Sequence, residues 1–306
     1  MTAAFDPNTT KPGATRVVDH EVLIVGSGFS GIGSGIKLKK IGIHDFIILE
    51  KAGDLGGTWR DNTYPGLTVD IPTLTYSFSF EQNPNWSNLY APGPELKQYA
   101  DHCSDKYGVR SHIRFNASVA KSVYDDKLNR WSTHLDTGEV ITSRYLVSAT
   151  GFLTVVKMPD IPGIDDFKGK KIHTARWDHQ HDLTGERVGF IGTGATAIQV
   201  IPEIVPKLKS LAVYQRTPIW LLPKRDAVIS EGVKKLFRRV PLAQRVARFF
   251  MYLFTDMVMI TSLLRYKRYR RLLTWIEGKC VAHIRTQVHD PAIQEKLIPK
   301  YSFGCK

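Results

Sequence analysis

Apolar positions along the chain follow two periods, and the switches between them mark the elements. Val22-Leu23-Ile24-Val25, after Glu21, is a continuous apolar run, as a strand buried on both faces of a parallel sheet requires. Ile32, Ile36, Leu38 and Ile41 then recur at helical spacing, and Phe46-Ile47-Ile48-Leu49 makes a second buried run. The same order returns later: Arg187-Val188-Gly189-Phe190-Ile191, a helical stretch through Ile198, Val200 and Ile201, then Leu211-Ala212-Val213-Tyr214. Between the two repeats, residues 112–119, 123–124, 131–135 and 140–149 are strand-like and read as a β-meander. Asp136-Thr137-Gly138-Glu139 supplies a turn within it. A connection through Pro159, Pro162 and Gly163 reads as a hinge between domains. Residues 1–19 are polar, without an apolar run, a leader or a lipidation motif, and read as a loose tail.

Glycines occupy both strand-to-helix corners. Gly26-Ser27-Gly28-Phe29-Ser30-Gly31 follows the first strand, and Glu50 ends the second strand 19 residues after Gly31. In such a loop the first glycine permits the tight turn, the second lets a pyrophosphate approach the backbone, and the third lets the helix pack closely. The helix N-terminus then offers free N–H groups to the phosphates, and the acid accepts from ribose hydroxyls. Gly192-Thr193-Gly194-Ala195-Thr196-Ala197 repeats the motif, with Ala197 in the third place. Its second strand ends in Gln215-Arg216-Thr217 instead of an acid. A guanidinium there forms charge-assisted bonds to a ribose 2′-phosphate and favours NADP over NAD. The plainer reading of Arg216 is a solvated residue at a strand end. Two dinucleotide folds in one chain point to electron transfer between two cofactors, a flavin and a nicotinamide. The domains so read are 20–154 for FAD, 155–225 for the first part of an NADP domain, 226–300 for a helical insertion, and 301–306 for a return toward the NADP domain.

Composition narrows the picture in two places. The chain has 42 Lys and Arg against 29 Asp and Glu, a net +13, but residues 224–306 alone hold 18 basic and 6 acidic residues. The charge therefore belongs to the insertion, and no recognition motif for nucleic acid accompanies it. The most apolar window, residues 249–264, is 16 residues long and contains Asp256. It is shorter than the roughly 20 residues of a spanning helix, so it reads as a buried or interfacial helix. With the basic residues of 232–271 around it, two readings stand: a helix lying on an anionic membrane, or a solvated helical face. Cys103, Cys280 and Cys305 are far apart and in no C-x-x-C spacing, which disfavours a disulphide scaffold, a zinc module or a redox pair, and suits a reducing cytoplasm. No metal site is expected.

Two further stretches carry a family resemblance. Phe167, Gly169, His173, Trp177 and Asp178 match the F-x-G-x-x-x-H-x-x-x-W-[P/D] fingerprint of Baeyer–Villiger monooxygenases at every fixed position, between the two glycine motifs. Upstream, Gly56-Gly57-Thr58-Trp59-Arg60-Asp61, Tyr64-Pro65-Gly66, Asp70-Ile71-Pro72 and Tyr76 resemble the flavin-contacting loop of the same family. The resemblance implies a class B flavoprotein monooxygenase with two Rossmann-like domains, FAD in the first and NADP(H) in the second. FAD would rest on Gly26, Gly28, Phe29, Ser30, Gly31 and Glu50, along Thr58, Trp59 and Asp61, against Asp70 and Tyr76, and on the backbone of Val119. NADP would lie on Gly192, Thr193, Gly194, Thr196, Ala197, Arg216, Thr217 and Lys306. His173 and Trp177 would couple domain movement to catalysis rather than act as acid or base.

The resemblance also implies a reaction. NADPH reduces FAD by hydride transfer, and one oxygen atom of dioxygen then enters a small lipophilic substrate, turning a ketone into an ester or lactone. Thioethers and amines are oxygenated by related enzymes, so N- or S-oxygenation remains an alternative, as does a non-catalytic nucleotide-binding role or half of a split enzyme. Asp70 would position a cation that stabilises developing negative charge. Residues 301–306 resemble the segment preceding the family's active-site arginine, and family members continue beyond it. The expectation is that both domains lack their C-terminal parts here, that Asp70 lacks its arginine partner, and that this polypeptide alone is impaired in turnover.

Overall fold

The computed structural model describes residues 18–224, 226–259, 268 and 270–303. The polar tail before residue 18, the part of the apolar window from 260 to 264, and Lys306 lie outside the described residues. The chain divides into two compact units, one formed by the sequence up to Arg60 with Ala100–Val155, the other by Asp61–Tyr99 with Val156 onward.

In the first unit, β1 (His20–Val25), α1 (Phe29–Lys40) and β2 (Phe46–Leu49) fall on the apolar runs and the helical spacing between them. Two helices come next along the chain, α2 (Thr58–Asp61) and α3 (Gly93–Lys106), followed by β3 (Ile113–Arg114), β4 (Val119–Asp125), β5 (Arg130–Leu135) and β6 (Val140–Ser148). The six strands form one sheet in the order β3-β2-β1-β6-β5-β4. Its β3, β2, β1 and β6 are parallel, whereas β5 and β4 run antiparallel. The meander is thus an extension of the nucleotide-binding sheet. One part of the expected meander is corrected: residues 112–119 are not one strand. Ile113 and Arg114 form a short strand that pairs in parallel with Ile48 and Leu49, and Val119 already belongs to β4. Asn116 takes a left-handed backbone (φ 54°), which ends that pairing before β4 begins. Leu23, Leu49, Ala117, Leu135 and Ile141 form a buried core cluster on this sheet.

In the second unit, β7 (Arg187–Ile191), α4 (Ala195–Ile204) and β8 (Ser210–Tyr214) repeat the strand, helix, strand order, with β7 and β8 in parallel register from Arg187–Ser210 to Ile191–Tyr214. Tyr64, Val200 and Ile204 are buried together, with Trp177 and Phe190 packed against them. Four helices follow: α5 (Glu231–Arg239), α6 (Pro241–Met259), α7 (Arg270–Gln287) and α8 (Pro291–Leu297). Ser230 caps α5 by accepting from Val233 N, and Asp290 caps α8 ahead of Pro291, so both starts carry their own sequence signals.

Candidate functional site: two glycine-capped helix termini

The two glycine loops have nearly the same backbone. Gly26 and Gly192 have φ of 98° and 107°, a region that only glycine occupies without strain. Each donates its N–H to the last residue of the neighbouring strand, Gly26 to Leu49 O (2.8 Å) and Gly192 to Tyr214 O (3.0 Å). Gly28 caps α1 with φ −73° and ψ −172°, and Gly194 caps α4 with φ −74° and ψ −174°. Neither cap has a side-chain hydrogen bond, and neither helix has an acid in its first turn. The N–H groups of both first turns and the positive end of each helix dipole are left for an anion. A Cβ on Gly194 would meet no atom within 4 Å, and one on Gly28 only Gly57 Cα at 3.8 Å, so both loops leave room over the backbone. Gly31 instead closes a contact, since a Cβ there would fall 1.9 Å from Gly26 O. Ala197, the counterpart of Gly31, is buried. The two loops fit dinucleotide pyrophosphates on geometry alone.

Glu50 sits beside the first loop and is almost wholly buried. Its Oε2 accepts from Ser27 N (2.9 Å) and Ser27 Oγ (2.7 Å), and its Oε1 from Ala52 N (3.0 Å), with Arg60 Nη1 at 3.1 Å. Burial alone would push this carboxyl up. The bonds from Ser27 and Ala52, with the Arg60 charge, outweigh burial and hold it below its ordinary value. Arg60 has a second tie, Nη1 to Asp54 O. Downstream, α2 begins in the turn where Trp59 N donates to Gly56 O (3.2 Å), which places Thr58, Trp59 and Asp61 on one short helix. Val119 opens β4 opposite Leu135 and packs on the core cluster.

In the second unit, the loop carrying Asp70 lies on α4. Gly66 makes this approach feasible: a Cβ there would fall 2.4 Å from Gln199 O. The Gln199 side chain, one helical turn beyond Thr196, then organises the loop. Its Oε1 accepts from Tyr64 Oη (3.0 Å) and Thr68 N (3.4 Å), and its Nε2 donates to Thr68 O (3.0 Å) and Asp70 Oδ1 (2.6 Å). Lys224 Nζ adds bonds to Thr68 Oγ1 (2.6 Å) and Val69 O (3.3 Å). Burial raises the Tyr64 phenol, which a hydrogen bond from Thr196 opposes and the Asp70 charge reinforces, so Tyr64 stays a donor. Asp70 is exposed, and Gln199 gives it an amide partner. Tyr76 is half-buried in a turn where its N–H donates to Pro72 O (3.0 Å), and Arg248 of α6 braces that turn at Leu74 O and Ser77 Oγ.

The fingerprint residues form a compact turn. His173 Nδ1 accepts from Ala175 N (3.1 Å), and Asp178 pairs with Lys170 (2.6 Å). Trp177 packs on the face of α4 that holds Tyr64 and Val200. A Cβ on Gly169 would fall 2.4 Å from the Phe167 ring, so the glycine lets that ring fold over the backbone. Arg216 and Thr217 line a cavity at the end of β8. Sequence pattern assigns no role to Gln199, Arg60 or Lys224. Their signal is weak: one polar residue inside an apolar helix face and two cations without a spacing rule.

Fold and loops together define an α/β protein with two dinucleotide sites in tandem. Residues 23–239 match the model of the pyridine nucleotide-disulphide oxidoreductase family, and the chain belongs to that family. Among curated proteins it is 40% identical to a Baeyer–Villiger monooxygenase of Streptomyces coelicolor over 95% of this chain and 55% of the relative. It is 39% identical to a Baeyer–Villiger monooxygenase of Pseudomonas aeruginosa over 97% of this chain and 56% of the relative. The chain thus spans about half the length of the curated relatives it matches. Among solved structures it resembles OTEMO in complex with FAD and NADP, with a TM-score of 0.78 and 30% identity over 95% of this chain and 62% of that one. It also resembles an oxidised steroid monooxygenase bound to NADP, with a TM-score of 0.79 and 28% identity over 94% of this chain and 61% of that one. The likeness to Baeyer–Villiger monooxygenases read from the fingerprint and the glycine loops is borne out. Among the described residues Cys103 and Cys280 are both buried and neither stands in a disulphide.

Proposed function

We propose that this chain binds FAD at the Gly26–Gly31 loop and NADPH at the Gly192–Ala197 loop, as part of a Baeyer–Villiger-type monooxygenase. The observation that carries this is the pair of uncapped, glycine-flanked helix termini with matching dihedral angles, in a chain 40% identical to such an enzyme. When bound, FAD would supply two-electron chemistry that takes a hydride from NADPH and reduces dioxygen, one oxygen atom passing into a lipophilic substrate. The first-turn N–H groups of α1 and α4 hold the pyrophosphates. Ser27, Ala52 and Arg60 already occupy the acceptor positions of Glu50, so a ribose hydroxyl takes the place of one of the two that can rotate away, Ser27 Oγ or Arg60. Asp70, held by Gln199, would serve as the positioned carboxylate of the reaction. A ketone substrate is favoured over a thioether or amine by the names of the relatives. The test is FAD uptake by the purified chain, read as flavin absorbance retained through gel filtration, followed by product analysis with a ketone and a sulphide. FAD retention is expected, and any product from the ketone should be the ester; sulphoxide alone would favour the S-oxygenating reading, and failure to take up FAD would overturn the assignment.

We also propose that α6 rests on an anionic membrane surface. Phe249, Phe250, Leu253, Phe254 and Met257 are exposed along one stripe about 140° wide at 100° per residue, with Arg245, Lys235 and Arg239 exposed nearby. Among the described residues no helix is long and apolar enough to cross a membrane. Co-sedimentation with vesicles containing phosphatidylglycerol at low salt, but not with phosphatidylcholine alone, is expected. Binding to neither would leave α6 as a solvated face.

A further inference from the structure

Within the second unit, the Asp70 loop and the glycine-started helix α4 share one chain of hydrogen bonds. Thr196, in the first turn of α4, hydrogen-bonds the Tyr64 phenol. Tyr64 Oη donates to Gln199 Oε1 (3.0 Å), and Gln199 Nε2 donates to Asp70 Oδ1 (2.6 Å) and Thr68 O (3.0 Å). A phenol has one proton, and here it is given to Gln199, so Thr196 is the donor in its bond to Tyr64. Every link therefore runs in one direction, from the helix start toward the Asp70 carboxylate. Packing fixes the middle of the chain. Tyr64 is buried against Val200 and Ile204, and Gly66 lies so close to α4 that a Cβ would fall 2.4 Å from Gln199 O. Asp70 is exposed at one end, and Thr196 is half-buried at the other.

We infer that Tyr64 and Gln199 are positioning residues that couple occupancy of the α4 N-terminus to the placement of the Asp70 carboxylate. The inference rests on the reading of the Gly192–Ala197 loop as a nicotinamide dinucleotide site. A threonine hydroxyl has a single proton to give. A phosphate oxygen at the first turn accepts it in a charge-assisted bond, stronger than the bond to a neutral phenol. Thr196 Oγ1 is then an acceptor only, and it competes with Gln199 Oε1 for the phenol proton. When the phenol turns to Thr196, Gln199 Oε1 keeps only the longer bond from Thr68 N (3.4 Å), and the hold of the amide on Asp70 slackens. An empty loop thus keeps Asp70 against α4, and an occupied loop releases it. By linkage, the bond between Gln199 and Asp70 opposes nucleotide binding to the same extent.

Calorimetric titration with NADP⁺ of the unchanged 306-residue chain and of D70N, Y64F and Y64F/D70N tests this. D70N removes the carboxylate that Gln199 holds. It is expected to tighten NADP⁺ binding about fivefold more in the unchanged chain than in the Y64F background, where the chain of bonds is already cut. T196V as the background is expected to give the same loss of coupling, and it leaves the buried ring in place. As a second readout, the carboxyl carbon NMR resonance of Asp70, identified by its loss in D70N, should move on saturation with NADP⁺ and move less in Y64F. Equal effects of D70N in the unchanged and Y64F backgrounds, or an Asp70 resonance that moves as far in Y64F as in the unchanged chain, overturn the inference and leave the site reading intact. If the unchanged chain binds no NADP⁺ while it still melts cooperatively, the site reading falls and the inference with it.

Discussion

The Glu50 carboxylate lies out of water with hydrogen bonds from Ser27 N, Ser27 Oγ and Ala52 N and an ion pair to Arg60. Its pKa is lower in the folded chain than in the unfolded one. The resulting stability is therefore complete above the unfolded carboxyl's value and is lost as pH falls through the folded one. Glu50→Gln should cost about 2 kcal/mol at neutral pH, the worth of hydrogen bonds to a charged group. Urea unfolding should show the gap between the two proteins closing as pH is taken from about 5 toward 3. A gap independent of pH would mean that packing, not charge, makes the difference. Gln199 is the complementary case. Its amide satisfies Tyr64, Thr68 and Asp70 together, so Gln199→Leu leaves buried or half-buried polar groups unpaired and should destabilise by about 1–3 kcal/mol, read as a lower urea midpoint.

Helices α1 and α4 begin alike and end differently, and only their beginnings bear on function. Each starts at a glycine with no side-chain cap, which forgoes about 1 kcal/mol that a Ser or Asp cap contributes elsewhere. Ser230 of α5 and Asp290 of α8 do cap their helices through side chains, unlike the glycines at the two loops. In α7, Gly278 is exposed and a Cβ on it would meet nothing within 4 Å. Gly278→Ala should therefore stabilise the chain by about 0.5–1 kcal/mol through helix propensity, seen as a higher melting temperature. Strand boundaries follow the apolar runs closely for β1 and β2, because a strand buried on both faces must be apolar throughout, and β7 and β8 follow theirs although most of their residues are exposed. Residues 112–119 have the apolar content of a strand, and only the left-handed backbone at Asn116, which periodicity does not reveal, breaks them.

For the molecule as a whole, a ligand that binds the native chain and not the unfolded one raises its stability by mass action, by about 2.7 kcal/mol at a hundred times its dissociation constant. FAD and NADP should therefore each raise the melting temperature in a concentration-dependent way, and together by more than either alone. A chain whose melting is indifferent to FAD would contradict the first site. The amino-acid sequence by itself determined the tandem repeat, the glycine loops, the acid at Glu50 and the fingerprint, because those depend on residues close together in the chain with fixed spacing. Only the tertiary structure decided that the meander joins the first sheet through β6, that Gln199 holds Asp70, and that Lys296 and Lys300 share a recess with Arg216. Those contacts bring together residues about 80 to 130 positions apart, and their side chains meet through packing and backbone path, which local periodicity does not encode.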